Sequence, residues 1–222
     1  MNSRIRYLAI VSERPDTLAR FYSTYFAMRE LGRSDAGDVA LTDGFYNISI
    51  LKPRDEAAEL GISHFGITVE DIREIEARLK RFGAQTDIRQ EEGGLFHGDY
   101  RVTDPKGQIV SLSTHDFHTP RVERTFPSIR HIAMCVPNND EVLDFYVNVF
   151  GFRESSTSKR IRAENRVVRW AADGETAMAI LPDREHRDMN ERESPRDGLN
   201  HFGWLVTDIE QFLDSLPEGC IS

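Results

Sequence analysis

Three histidines stand near the beginning of apolar segments that resemble buried strands. His64 and His201 each precede the residues Phe-Gly, and His131 lies within the apolar segment 129–136. The neutral imidazole ring is a common ligand of transition metals in proteins. Histidines that recur on the strands of one sheet can converge on a single ion. The pattern therefore predicts a metal site, and the elements that carry the histidines decide which of them are ligands.

The elements that carry these histidines are repeated within the chain. When the sequence is displaced by 124 positions, residues 5–30 match residues 129–154 without a gap. A displacement of 137 positions places His64 and the Phe-Gly after it on His201 and its Phe-Gly. Fixed displacements of this kind indicate duplicated structural units. The two halves of the chain are therefore related, and each half contains two modules.

Each module begins with a strand and a helix, and each complete module continues with three strands. The helices are predicted from apolar residues that recur on one face. The first starts near Asp16, taken as its N-cap residue, and the second follows Asp71. The second and third helices end at Gly83 and Gly151, and the fourth ends before Pro217. The predicted strand segments are 28–33, 38–42, 46–52, 86–90, 97–103, 108–114, 152–161, 166–172 and 176–182.

This order of elements predicts an α+β fold of paired βαβββ modules in two domains. Residues 1–115 are predicted to form the N-terminal domain and residues 129–222 the C-terminal domain. Residues 116–128, with two prolines and mixed charge, are the predicted linker. The fourth module has only its first strand and its helix within the 222 residues. We therefore expect the chain to be part of a longer protein.

The composition excludes several classes of protein. The net charge of −9 argues against nucleic acid as a partner, because phosphate binding needs a basic surface. No apolar run approaches the length of about 18 residues that a membrane span needs. The two cysteines, Cys135 and Cys220, do not have the spacing of a metal site or of a disulfide framework. Without a signal peptide pattern at the N-terminus, a reduced, cytoplasmic protein is expected.

Four such modules in two halves, with histidines on the first strands, resemble the vicinal oxygen chelate superfamily. Within it, the two-domain layout resembles the type I extradiol ring-cleavage dioxygenases, and the resemblance covers nearly the whole chain. It implies that the C-terminal half binds a non-haem Fe(II), or Mn(II), which suits the same ligands. The ligands that it implies are His131, His201 and a Glu on a strand beyond the end of the chain.

The same resemblance implies that the N-terminal half is a duplicate without metal. Tyr7 takes the position of His131 there, and His64 takes the position of His201. Ser111 stands where the carboxylate ligand would be. Tyrosine, histidine and serine together do not form a metal site, so His64 is predicted to be structural.

His186 lies 15 residues before His201, in a segment rich in charged residues. The resemblance implies that His186 is the second-sphere acid–base residue, because imidazole titrates near neutral pH. From the residues alone, a surface histidine is the alternative. Trp204 is predicted to lie in the core, with a place at the border of a substrate pocket as the alternative. The histidines predicted to lie on the surface are His97, His115 and His118.

The function implied by the resemblance is extradiol cleavage of a catechol-type ring by dioxygen. The expected partners are the catechol and dioxygen, with neither nucleic acid nor a membrane, in a homo-oligomer. Two alternatives stay open, a glyoxalase-like metal-dependent isomerase or lyase and a non-catalytic small-molecule-binding protein. With one protein ligand beyond the chain end, the 222-residue chain is expected to bind metal weakly and to show little turnover.

Overall fold

The computed structural model describes residues 3–119, 123–155, 168–182 and 198–220. These residues form two mixed β-sheets and four α-helices. Among the described residues, no helix is long and apolar enough to cross a membrane.

The N-terminal half builds an eight-stranded sheet. Its strands are ordered β2-β3-β4-β1-β5-β8-β7-β6, so that β1 and β5, the first strands of the two modules, lie side by side at the centre. The elements are β1 (Arg4–Val11), α1 (Pro15–Tyr25), β2 (Arg29–Arg33), β3 (Val39–Thr42), β4 (Asn47–Leu51), β5 (Gly61–Thr68), α2 (Ile72–Phe82), β6 (Arg89–Gln90), β7 (Tyr100–Thr103) and β8 (Ile109–Ser113).

The described part of the C-terminal half builds a five-stranded sheet in the order β10-β11-β12-β9-β13. β9 and β13 pair as β1 and β5 do, and β13 stands at the edge among the described strands. The elements are β9 (Ser128–Val136), α3 (Asn139–Phe150), β10 (Arg153–Glu154), β11 (Arg169–Ala172), β12 (Ala177–Pro182), β13 (Gly198–Leu205) and α4 (Ile209–Ser215).

The strand registers confirm the predicted duplication. Across β1 and β5, Ala9 pairs with His64. Across β9 and β13, Ala133 pairs with His201 in the same antiparallel arrangement. The pairing therefore follows the two sequence displacements, and the predicted fold of paired βαβββ modules is confirmed.

Local capping explains where the helices begin and end. The side chain of Asp71 accepts a hydrogen bond from the Arg73 amide at the start of α2. Gly83 and Gly151 end α2 and α3 with left-handed backbone, at φ of 77° and 73°, as predicted. The N-cap predicted for α1 was wrong by two positions, since Arg14 rather than Asp16 is the N-cap residue. Pro15, whose fixed φ suits the first turn, begins that helix, and Asp16 lies within the turn rather than at the cap.

The two halves share one hydrophobic core. The Phe82 ring of α2 contacts the Phe145 ring of α3 edge to face, with centroids 5.7 Å apart. The Phe26 ring, just after α1, lies 4.3 Å from the Trp204 ring of β13. Trp204, predicted to lie in the core, is partly buried and packs against this core. The opposite face of each sheet, which carries Tyr7 and Ala9 in one half and His131 and Ala133 in the other, packs in separate small clusters and is called the site face below.

Candidate metal centre

His131 and His201 come together on the site face of the C-terminal sheet. The two Nε2 atoms are 3.3 Å apart, and the ring centroids are 5.2 Å apart. Both residues lie on the paired strands β9 and β13, where Gly203 stands directly opposite His131. A Cβ atom on Gly203 would lie 3.2 Å from the His131 Cβ and 3.3 Å from its Cδ2. Because Gly203 has no side chain, it leaves room for the imidazole ring of His131.

The neighbouring residue sets the tautomer of His201. Its Nδ1 lies 2.8 Å from the Asn200 Oδ1. An amide oxygen only accepts, so Nδ1 carries the proton and donates it to this bond. The lone pair of a neutral His201 is therefore on Nε2, which faces His131. Bonds of this kind orient the histidine ligands in metal sites of known proteins.

Burial favours the neutral form of His131, the form in which an imidazole can bind a metal. Desolvation is the main cause that lowers the pKa of His131, and the nearby His201 lowers it further, while a backbone hydrogen bond at Ala177 acts in the opposite direction. A lowered pKa means that the imidazole is neutral at neutral pH. Its lone pair is then available to a cation rather than occupied by a proton.

The spacing of the two nitrogens fits a shared ion. Histidine nitrogens lie about 2.0 to 2.1 Å from a bound metal such as zinc, so two on one ion at about 90° to 110° are about 2.8 to 3.4 Å apart. The observed 3.3 Å lies in this range. Within the described ranges there is no group of three or more His, Cys, Asp or Glu residues that could hold an ion. The described residues thus bring together the two histidines that were predicted to be ligands.

Apolar side chains lie on one side of the histidine pair, next to His131. Ala133 and Ala179, which pair across β9 and β12, form a small cluster with Val168. The Trp170 ring packs against this cluster and lies 5.3 Å from the His131 ring, centroid to centroid. Trp170 was not recognised in the sequence. The sequence feature that could have identified Trp170 is its position in a predicted strand, with alanines on the strands beside it.

The predicted acid–base residue, His186, lies outside the described residues. Its role stays a prediction. His97, His115 and His118 are exposed, as predicted. Cys135 is buried and Cys220 is exposed, and both are free thiols.

The equivalent place in the N-terminal half is filled by aromatic side chains. Tyr7 replaces His131 and stacks on Phe117 at a centroid distance of 4.9 Å. Its hydroxyl donates a hydrogen bond of 2.6 Å to the Phe96 carbonyl, and burial raises its pKa. Burial, with added repulsion from His97 and Arg101, lowers the pKa of His64 to about 4.

Comparison with protein families gives a match in the half that carries the histidine pair. Residues 130–220 match the sequence model of the Glyoxalase/Bleomycin resistance protein/Dioxygenase superfamily. No curated protein sequence matches the chain.

Solved structures share the fold over nearly the whole chain. The 2,3-dioxygenase LapB from Pseudomonas sp. KL28 is 19% identical with a TM-score of 0.66, covering 95% of this chain and 77% of that one. An extradiol ring-cleaving dioxygenase from B. fuscum is 16% identical with a TM-score of 0.68, covering 95% of this chain and 60% of that one. The Mn(II)-bound glyoxalase from Novosphingobium aromaticivorans is 17% identical with a TM-score of 0.67, covering 92% and 66%. The chain thus has a fold that ring-cleaving dioxygenases and a glyoxalase share, and its superfamily match includes both His131 and His201.

Proposed function

We propose that this chain holds two of the protein ligands of a non-haem Fe(II) centre that cleaves catechol-type rings with dioxygen. The observation that carries the proposal is the pair of Nε2 atoms of His131 and His201, 3.3 Å apart on adjacent strands. The C-terminal sequence match to a superfamily that includes dioxygenases supports it, as does the fold shared with two dioxygenases.

The N-terminal half indicates where a third ligand belongs. There β8 runs parallel to β5 and places Ser111 beside Gly66, the counterpart of Gly203. Within the described ranges no strand lies on the corresponding edge of β13. A carboxylate on a strand at that edge would stand beside Gly203, next to the histidine pair. A Glu in this place would complete the two-histidine, one-carboxylate set that binds non-haem Fe(II) and leaves positions open.

Several residues of the chain have a role in this proposal. His131 and His201 hold the metal as neutral ligands, and Asn200 keeps the His201 ring in the correct tautomer. Trp170 and Ala133 offer an apolar wall for an aromatic ring. His186 moves a proton between substrate and solvent. The chemistry that a bound Fe(II) supplies is a shared binding place for catechol and dioxygen, with electron transfer between them.

The test is to load the purified chain with Fe(II) anaerobically, then to add catechol and air. Oxygen uptake with a yellow ring-fission product is expected, at a low rate if a third ligand is absent. A longer form that carries the additional strands is expected to be faster. If neither form binds iron or manganese in metal analysis, the proposal fails.

A glyoxalase-like isomerase or lyase is the second candidate, because the Mn(II)-bound glyoxalase matches the fold at a TM-score of 0.67. The two reactions differ in their need for dioxygen. Turnover of a hemithioacetal under nitrogen, with no oxygen uptake on catechol, would favour this candidate over the dioxygenase.

A further inference from the structure

A cavity lies over the N-terminal sheet, and neither His131 nor His201 lines it. Its volume is about 530 Å³, within the range of about 300 to 1,000 Å³ of small-molecule sites. It lies beside β5, β7 and β8. The residues that line it are Ser63, His64, Glu91, Glu92, His97, Arg101, Ile109 and Ser111.

The cavity survives because the aromatic filling of this sheet is confined to one side. Phe117 covers Tyr7 on β1, and a Cβ atom on Gly66 would lie only 2.4 Å from the Phe117 ring. Ser111 on β8, beside Gly66 in the sheet, carries a small side chain instead of an aromatic ring. The Phe117 ring therefore covers β1 and β5 here, and the cavity lies against Ile109 and Ser111 of β8.

Arg101 brings a cationic group to this cavity. It pairs with Ser111 across β7 and β8, and its Nε forms an ion pair of 2.9 Å with the Glu91 Oε1. Across the parts of the chain that are described, no acceptor is bonded to its terminal nitrogens Nη1 and Nη2. Two parallel N–H groups of a guanidinium match the two oxygens of a carboxylate.

His64 adds a neutral hydrogen-bonding group at the same place. The Ser63 Oγ lies 3.1 Å from its Nδ1, and no bond to Nε2 is found within the described ranges. Burial is the main cause that lowers the pKa of His64, and the charges of His97 and Arg101 lower it further. All three residues line the cavity, so an anion bound by Arg101 would lie close to the neutral imidazole. Glu91 is held by Arg101, and Glu92 is exposed to solvent.

We infer that this cavity binds a small organic carboxylate, with the carboxylate on Arg101 and the rest of the molecule against His64, Ile109 and Ser111. The site is separate from the candidate metal centre and does not depend on the proposed ring cleavage. Benzoate is a suitable probe, because it is a planar monocarboxylate small enough for the cavity. Benzamide is the matched neutral probe, because it has the same shape without the charge.

The experiment is calorimetric titration of the full chain with benzoate and with benzamide, after treatment with a chelator. Binding of benzoate is expected, and benzamide is expected to bind at least about tenfold more weakly. Arg101→Gln is expected to weaken benzoate binding by about tenfold or more. Arg89→Gln is the control, because Arg89 pairs with Arg101 across β6 and β7, is exposed and does not line the cavity.

The location is checked by NMR with the same metal-free protein. Benzoate is expected to shift the signals of His64 and Ser111 and to leave those of His131 and His201 unchanged. The inference is overturned if benzoate does not bind, if it binds Arg101→Gln as well as the parent chain, if benzamide binds equally, or if the shifts fall on the C-terminal histidines. Because no metal is present, each of these outcomes is independent of the dioxygenase test.

Discussion

The site faces of the two sheets share one arrangement of paired central strands, called the frame below. They differ in the side chains that this frame carries. On the N-terminal site face Tyr7 lies between Asn47 and Gly66 in the register, and on the C-terminal one His131 lies between Ala177 and Gly203. The first frame is filled by an aromatic stack. The second is lined by alanines and holds two imidazoles with facing nitrogens. The comparison shows that the paired strands place two side chains next to each other. The types of the residues decide whether that place is filled by an aromatic stack or holds two imidazoles beside small residues.

The filling of the N-terminal frame depends on an unusual turn. Asp116, Phe117 and His118 have φ values of 56°, 52° and 54°, a conformation that costs about 1 to 2 kcal/mol for each such residue. Hydrogen bonds offset this cost, because the Phe117 amide donates to the Ser113 Oγ and the Asn47 side chain donates to the Phe117 carbonyl. Burial of the whole Phe117 ring adds to them. The turn thus acts as a plug of the N-terminal site face.

Removal of this plug is expected to have the largest effect. Phe117→Ala is predicted to lower the free energy of unfolding by about 3 to 5 kcal/mol, since the ring is fully buried against Tyr7. Phe126→Ala, at a phenylalanine that is 48% exposed, is the control and is predicted to cost much less. Urea unfolding measures both. A loss below about 1 kcal/mol for Phe117→Ala would contradict the assignment of the ring as a plug.

Loss of either C-terminal histidine is expected to remove the metal affinity that distinguishes the C-terminal frame from the N-terminal one. His131→Ala and His201→Ala are each predicted to weaken Fe(II) or Mn(II) binding by more than about 100-fold, because even residues behind the ligands contribute about 10- to 100-fold. His64→Ala is the matched control, and metal affinity is expected to be unchanged. Titration followed by electron paramagnetic resonance of Mn(II) reports the affinity. Equal losses in all three variants would mean that the histidine pair is not the metal centre.

Acid is expected to destabilise the N-terminal frame through His64. Its pKa is about 4 in the folded state, below the usual value of 6.5, so the unfolded chain takes up a proton first as the pH falls. Stability is therefore lost below about pH 6.5, and this histidine is predicted to contribute about 1 to 2 kcal/mol of loss between pH 7 and pH 5. His64→Gln is expected to remove this part, whereas His97→Gln at an exposed position retains it. Urea unfolding at the two pH values decides, and an unchanged pH dependence in His64→Gln would refute the prediction.

The smallest expected effect comes from the glycines of the two frames. Gly203→Ala brings a Cβ atom to 3.2 Å from the His131 Cβ, so a small displacement of the ring is expected. We predict metal affinity lower by about tenfold, equal to about 1.4 kcal/mol. Gly66→Ala, which would meet the Phe117 ring, is expected to reduce stability and to leave metal affinity unchanged. Metal titration and urea unfolding of both variants test whether the two glycines affect different properties. The same response from both variants would contradict this prediction.

The sequence by itself determined the repeated architecture. Matching residues at fixed displacements predicted duplicated modules, and the equivalent registers of β1 with β5 and of β9 with β13 agree with that duplication. Gly83 and Gly151 marked helix ends through local backbone geometry alone. The meeting of His131 with His201 was also predictable, from the duplication and the family resemblance together. The role of His186 stays a prediction.

Tertiary structure alone decided what occupies each frame. Nothing local places Phe117 over Tyr7 or Trp170 beside His131, because these contacts join segments that are distant in sequence. The cavity around Arg101 is equally non-local, since it is the space that the plug leaves uncovered. The start of α1 at Pro15 also differed from expectation, and Asp16 instead forms an ion pair with Arg33 of β2. Duplication preserves backbone pairing, whereas the filling of a site depends on side chains that come together only when the sheets are formed.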